Sequence, residues 1–166
     1  MRLLWSPWRS KYISNPDREG CFLCRALSKK DGVENFVLHR GKYSFIIMNL
    51  FPYNTGHLMV APLRHEGDFL RIKEEEFSEM WHLIQLSINS LKKVYHPHGF
   101  NLGMNLGRVA GAGLVDHLHI HILPRWEGDT NFLPVFSETK VIPEDIKESY
   151  VKIKKHLENF LKGSSF

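Results

Sequence analysis

Three short apolar runs lie close together early in the chain: "FVLHR" (36–40), "YSFIIMN" (43–49) and "HLMVAP" (57–62). Gly41-Lys42 divides the first two and the turn-rich "LFPYNTG" the last two, so the pattern predicts three successive strands. The period then changes. From Lys73 to Tyr95, the apolar residues Phe77, Met80, Trp81, Ile84, Ile88 and Leu91 fall on one helical stripe, and His96-Pro97 ends it. "FNLGMNLG" (100–107) reads as a fourth strand and "HLHIHIL" (117–123), stopped by Pro124, as a fifth. A last helix is predicted from Pro143, with Glu144 and Asp145 in its first turn. Its buried stripe is Ile146, Tyr150, Ile153, Leu157 and Phe160. Short connections between most strands predict an antiparallel five-stranded meander, and the class is α+β.

At 166 residues the chain is expected to form a single domain (1–166). An N-terminal arm (1–20) carrying Trp5, Pro7 and Trp8 would pack onto it, and 127–166 would form a C-terminal extension with the last helix. A hydrophobic fraction of 43% and a charged fraction of 24% are those of an ordinary soluble domain. No apolar run approaches a membrane span and "MRLLWSPWRS" has no leader-like core, so no membrane partner is expected and cytoplasm is the default. The net charge of +4 owes much to Lys147, Lys152, Lys154, Lys155 and Lys162, which read as the wet side of the last helix. Without a Lys/Arg stripe interleaved with aromatics, no nucleic-acid partner is expected.

The chemistry concentrates in "DHLHIHILPRW" (116–126). On a strand, His117, His119 and His121 point to one face while Leu118 and Ile120 point to the other. Three imidazoles in a row suit metal binding, nucleophilic or acid–base work at neutral pH, or nothing more than a solvated polar face. Just upstream, "NLGRVAGAGLV" places Gly107, Gly111 and Gly113 between two strands, which implies either an amide-lined phosphate loop or a plain glycine-rich connection. It is neither a Walker loop nor a dinucleotide fingerprint, and no organic cofactor is expected. Cys21 and Cys24 form a C-x-x-C, too little for a disulfide framework and two ligands short of a zinc site. A thioredoxin-like use lacks its βαβ context. His39, His82, His96, His98 and His156 fit strand-end, helix-face or loop positions and receive no role.

"HLHIHIL", "YSFIIMNLFPYNTGHLMVAPLRH" and "GMNLGRVAGAG" together resemble the histidine-triad superfamily of nucleotide hydrolases and transferases, over roughly Cys21 to Trp126. "WSPWRSKYI", C-x-x-C and "PRWEGDTNF" look most like its bacterial diadenosine tetraphosphate phosphorylases. The resemblance implies the histidine-triad fold, a homodimer joined through the long helix and fourth strand, and a nucleotide substrate. His119 would attack the α-phosphorus, and His121 and His57 would contact phosphate oxygens or the leaving group. Asn105 and the amides of Gly111, Ala112 and Gly113 would stabilise the developing charge, and Asn49 would contact the ribose. Phe45, Ile47 and Leu50 are candidates for the base pocket or for core packing. It also implies a structural zinc on Cys21, Cys24, His65 and His117, although His65 taken alone reads rather as a surface residue at a helix entrance. Phosphorolysis to ADP and ATP is the implied reaction. Dinucleoside polyphosphate hydrolysis and phosphoramidate cleavage are the implied alternatives, and a nucleotide-binding regulatory module is the alternative of another class. In the hydrolase branch of the family that the chain resembles, a Gln usually stands four residues before the first triad histidine, whereas this chain has Gly113.

Overall fold

A computed structural model describes residues 20–129 and 142–163. The N-terminal arm with Trp5, Pro7 and Trp8, and the end of "PRWEGDTNF", lie outside the described residues. A short helix, α1 (Phe22–Leu27), precedes β1 (Val37–Arg40), β2 (Ser44–Met48) and β3 (Leu58–Pro62). A long helix, α2 (Glu74–Tyr95), leads to β4 (Gly99–Gly103), β5 (Ile120–Arg125) and a terminal helix, α3 (Ile146–Gly163). The class is α+β, as the sequence predicts, with one antiparallel five-stranded sheet.

The strand order is β1-β2-β3-β5-β4, so the meander holds only through the third strand. Helix α2 carries the chain across the sheet, β4 forms the far edge, and β5 returns into the gap beside β3. This inversion puts the histidine-bearing segment next to β3 rather than at an edge.

Two strands, β4 and β5, depart most from the bounds that the sequence pattern predicts. β4 stops at Gly103, which pairs with His121, and the chain then leaves the ladder into the glycine loop. β5 starts only at Ile120, so His117 and His119 precede the ladder, and it runs through Pro124 to Arg125. Pro124 is tolerated because β3 pairs no further along β5 than Ile122. Its carbonyl accepts the Asn54 side chain at 3.0 Å, so its missing N–H faces a side with no strand to bond.

Glu76 Oε2 accepts the Lys73 N–H at 2.9 Å to start α2, and His96 ends it in the left-handed region (φ 49°). Met80, Leu83, Ile84 and Leu91 bury against the sheet. Phe77 and Trp81, predicted on the same stripe, stand on its flank, about half exposed. Helix α3 begins three residues later than predicted, because the Asp145 carboxylate caps the Lys147 amide at 2.8 Å while Glu144 pairs with Lys152 and Tyr95. Tyr150, Ile153 and Leu157 are buried, whereas Phe160 is not. Phe45, Ile46, Leu58, Met59, Met80, Leu91 and Ile122 form the fully buried centre, each side chain contributing about 1.5–3 kcal/mol. No helix among the described residues is long and apolar enough to cross a membrane.

Candidate active site

The packed centre of the sheet gives the histidines a rigid floor. His57 immediately precedes β3, and His121 on β5 pairs with Met59 two residues further on, so strand pairing brings two sequence-distant imidazoles together. His57 Nε2 lies 2.9 Å from His121 Nδ1, and the rings of His119 and His121 are 4.9 Å apart. His57 is completely buried and His119 nearly so. Burial, then the facing imidazoles of His121 and His119, holds His57 down to about pKa 3; burial and then His119 lower His121 to about 4. Burial also lowers His119. All three are therefore neutral rings at pH 7.

A carbonyl oxygen can only accept, so its partners reveal where ring protons lie. His119 Nδ1 is 2.9 Å from the carbonyl of His117 and must donate to it, which leaves Nε2 with a free lone pair. His117 is arranged the other way. Its Nε2 donates to the Pro62 carbonyl at 2.8 Å, and its Nδ1 lone pair faces Cys21 Sγ at 3.2 Å and Cys24 Sγ at 3.5 Å.

Cys21 caps the start of α1, and Cys24 follows one turn later with its amide on Cys21 Sγ at 3.4 Å. Fully buried Leu23 anchors that turn in the core. His65, exposed in the loop after β3, brings Nδ1 within 3.3 Å of Cys24 Sγ. The ligand atoms of Cys21, Cys24, His65 and His117 all lie within 4.8 Å of one another. A tetrahedral site with zinc–sulfur bonds of about 2.3 Å and zinc–nitrogen bonds of about 2.0 Å has sulfur–nitrogen edges of about 3.5 Å. The observed separations of 3.2–3.5 Å fit such a site.

The main chain between the two groups is clamped by the loop that carries His65. Leu118 N donates to the Glu66 carbonyl at 2.7 Å. Gly67 lies so close that a β-carbon there would fall 2.3 Å from the Val115 carbonyl oxygen. Arg64 holds the loop through Glu66 and both carboxylate oxygens of Glu76.

The glycine loop uses two of the three amides expected for an anion. Gly111 N donates to the Arg108 carbonyl at 2.9 Å and Ala112 N to that of Gly107 at 3.2 Å. The amide of Gly113 has no partner among the described residues. Asn105 lies against Gly111, whose φ of 93° needs glycine. Asn49 sits beside His57, with Nδ2 3.3 Å from its Nδ1. Phe45 and Ile47 are buried in the core, while Leu50 is exposed. One residue at the site carries no signal in the sequence beyond being an aromatic in a turn: the Tyr53 ring lies 4.8 Å from the His57 ring and 5.9 Å from that of His121.

Comparison with known proteins shows the family and the fold. The chain is 36% identical over 157 residues to the AP-4-A phosphorylase of Mycobacterium tuberculosis, covering 90% of this chain and 80% of that protein. It is 33% identical over 86 residues to the bis(5'-adenosyl)-triphosphatase of Dictyostelium discoideum, covering 52% of this chain and 57% of the relative. A Zn-bound histidine triad family protein from Mycobacterium smegmatis shares the fold, with a TM-score of 0.69 at 21% identity over 87% of this chain and 98% of its own. A hypothetical histidine triad nucleotide-binding protein from Sulfolobus tokodaii superposes with a TM-score of 0.66 at 27% identity, over 86% and 93% of the two chains. The HIT domain pattern matches residues 30–128, and with more than half of its length so matched the chain belongs to the HIT, or histidine-triad, family.

Proposed function

We propose that the protein is a nucleotidyltransferase that phosphorolyses diadenosine tetraphosphate. The observation that carries this reading is the free Nε2 lone pair of His119, held in place by the hydrogen bond from Nδ1 to the His117 carbonyl. Similarity to the mycobacterial AP-4-A phosphorylase over 90% of the chain supports the substrate class. His119 Nε2 bonds the α-phosphorus as the α–β phosphoanhydride breaks, and ATP leaves with the electron pair. An oxygen of inorganic phosphate then attacks the same phosphorus, the phosphorus–nitrogen bond breaks, and ADP is released. His121 and His57 serve the phosphate oxygens, as do Asn105 and the Gly113 amide, while the Gly111 and Ala112 amides keep the loop in shape. Asn49 meets the ribose.

The four-ligand cluster holds a structural zinc in this reading. Burial and then Cys21 push the Cys24 thiol up to about 11 without a metal, and a bound cation would hold it as the thiolate. The metal's part is to tie α1 and the His65 loop to His117. A second copy of the chain covers the apolar surface of Phe77, Trp81, Leu102 and Met104, which joins exposed α2 to the edge strand β4.

The test is incubation with diadenosine tetraphosphate with and without inorganic phosphate. Phosphate-dependent formation of ADP plus ATP is expected. Equal rates without phosphate, giving AMP plus ATP, would instead support hydrolysis, the reading favoured by similarity to the triphosphatase. No cleavage under either condition would favour a regulatory binding module.

A further inference from the structure

His57 is completely buried, and its ring is engaged at both nitrogens. Two N–H donors meet Nδ1: the main-chain amide of Tyr53 at 3.1 Å and the Asn49 side-chain amide at 3.3 Å. Asn49 cannot be turned round, because its Oδ1 accepts the Phe51 N–H at 3.0 Å. A ring nitrogen that faces two donors offers them its lone pair, so the proton of neutral His57 sits on Nε2. That proton points at His121 Nδ1, 2.9 Å away, which accepts it. His121 then carries its own proton on Nε2, an atom with no partner among the described residues.

We propose that Asn49 and the main chain of Tyr53 start a hydrogen-bond relay through His57 that makes His121 an N–H donor toward bound phosphate. Asn49 is thereby a positioning residue as well as a ribose contact. The identity of the bound group rests on the proposed nucleotide chemistry; the relay itself does not. Its consequence is a division of labour between neighbouring rings. His119 presents a lone pair and His121 presents a hydrogen, so attack on phosphorus and stabilisation of its oxygens come from adjacent side chains. With the relay reversed, two lone pairs would confront a polyanion.

The loop that starts the relay is braced from behind. Asn54 Nδ2 donates to the Pro124 carbonyl at 3.0 Å and to Asp129 Oδ2 at 2.9 Å. Asp129 also takes Arg125 on both carboxylate oxygens, at 2.6 and 2.9 Å, and the Trp126 N–H at 3.2 Å. The "RWEGD" run thus fastens the Tyr53 loop to the end of β5, and the Tyr53 ring covers both relay histidines.

Long-range proton–nitrogen NMR on protein labelled with 15N-histidine, without nucleotide and above pH 7, reads the tautomers directly. His57 and His121 are expected as Nε2–H and His119 as Nδ1–H. A wild-type His57 protonated on Nδ1 overturns the relay, whether or not the protein cleaves any dinucleotide. Asn49→Asp puts an acceptor where a donor stood, so His57 should take its proton on Nδ1 and His121 should lose its own from Nε2. The kcat for diadenosine tetraphosphate should fall about a hundredfold, as for loss of one donor to a developing oxyanion. Asn49→Ala leaves the Tyr53 amide in place and should cost about tenfold in kcat, with a mixture of tautomers at His57. Wild-type spectra in both variants with only KM raised would reduce Asn49 to a ribose contact and overturn the proposal. If the wild type cleaves no dinucleotide, the proposed function fails while the spectra still judge the relay.

Discussion

His117 and His119 are the same side chain two residues apart, and main-chain carbonyls claim opposite nitrogens of the two rings. Pro62 takes Nε2 of His117, which turns Nδ1 to the cysteines. The His117 carbonyl takes Nδ1 of His119, which frees Nε2. The residue type sets what an imidazole can do, and the backbone decides which nitrogen does it. The two sites are also mechanically joined, because His117 gives its side chain to one and its carbonyl to the other. Breaking either side of this pair should therefore reveal both the division and the link.

The largest effect is expected on the nucleophile side. His119→Ala should lower turnover by roughly four orders of magnitude, with nucleotide affinity changed little, because the ring acts on the reacting phosphorus rather than in ground-state binding. Single-turnover assays beside calorimetric titration separate the two. Near-wild-type turnover would take His119 out of the chemistry.

On the metal side, Cys24→Ser should reduce the bound zinc from about one equivalent per chain and cost about 4 kcal/mol of stability, the scale of losing a structural metal. Elemental analysis and urea unfolding measure these. Turnover should drop as well, since the His117 carbonyl would no longer be held for His119. Wild-type protein without metal after purification would leave Cys21 and Cys24 with no ligand role and return His117 to the triad.

A smaller effect is expected from the neutral rings. His57 and His121 titrate in the folded protein near 3 and 4, well below the ordinary histidine value of about 6.5. Between those values the unfolded chain binds protons that the native state refuses. Stability is therefore fully present above about pH 6.5 and declines as the pH falls toward 4. Urea unfolding from pH 7 to 5 should show this decline, and His121→Asn should make it shallower. An identical slope in the variant would mean that other groups set the acid limit.

Much of the architecture was legible in the sequence, for specific reasons. Period-two spacing put His117, His119 and His121 together, and the period of α2 fixed its ends to within a residue. Both signals are local. The place of β5 between β3 and β4 was not legible, because strand order depends on pairings across the whole chain. Nor was the ladder's passage through Pro124, which depends on where β3 happens to stop. The convergence of Cys21, Cys24, His65 and His117 came from family resemblance alone, as no spacing rule links α1 to a loop 41 residues on. The engaged amides of Gly111 and Ala112 were invisible because a glycine-rich run does not say which of its N–H groups the loop itself will use.

The least disruptive change probes the second half of the reaction. Once His119 carries the nucleotidyl group, water and phosphate compete for the same in-line approach, and room for the larger anion decides between them. A β-carbon at Gly113 would meet nothing within 4 Å, and the backbone there is not in the left-handed region. A side chain can therefore be added without straining the loop. The amide of Gly113 is the one loop donor among the three without a partner among the described residues, which suits it to an incoming anion. Gly113→Gln should fill that space while keeping the amide, shifting products from ADP toward AMP by a few-fold, on the order of 1 kcal/mol in relative barriers. Product ratios at fixed phosphate, with the total rate of ATP release as the control, measure the shift. An unchanged ratio at an unchanged rate would mean that phosphate enters elsewhere, and that Gly113 does not set the acceptor.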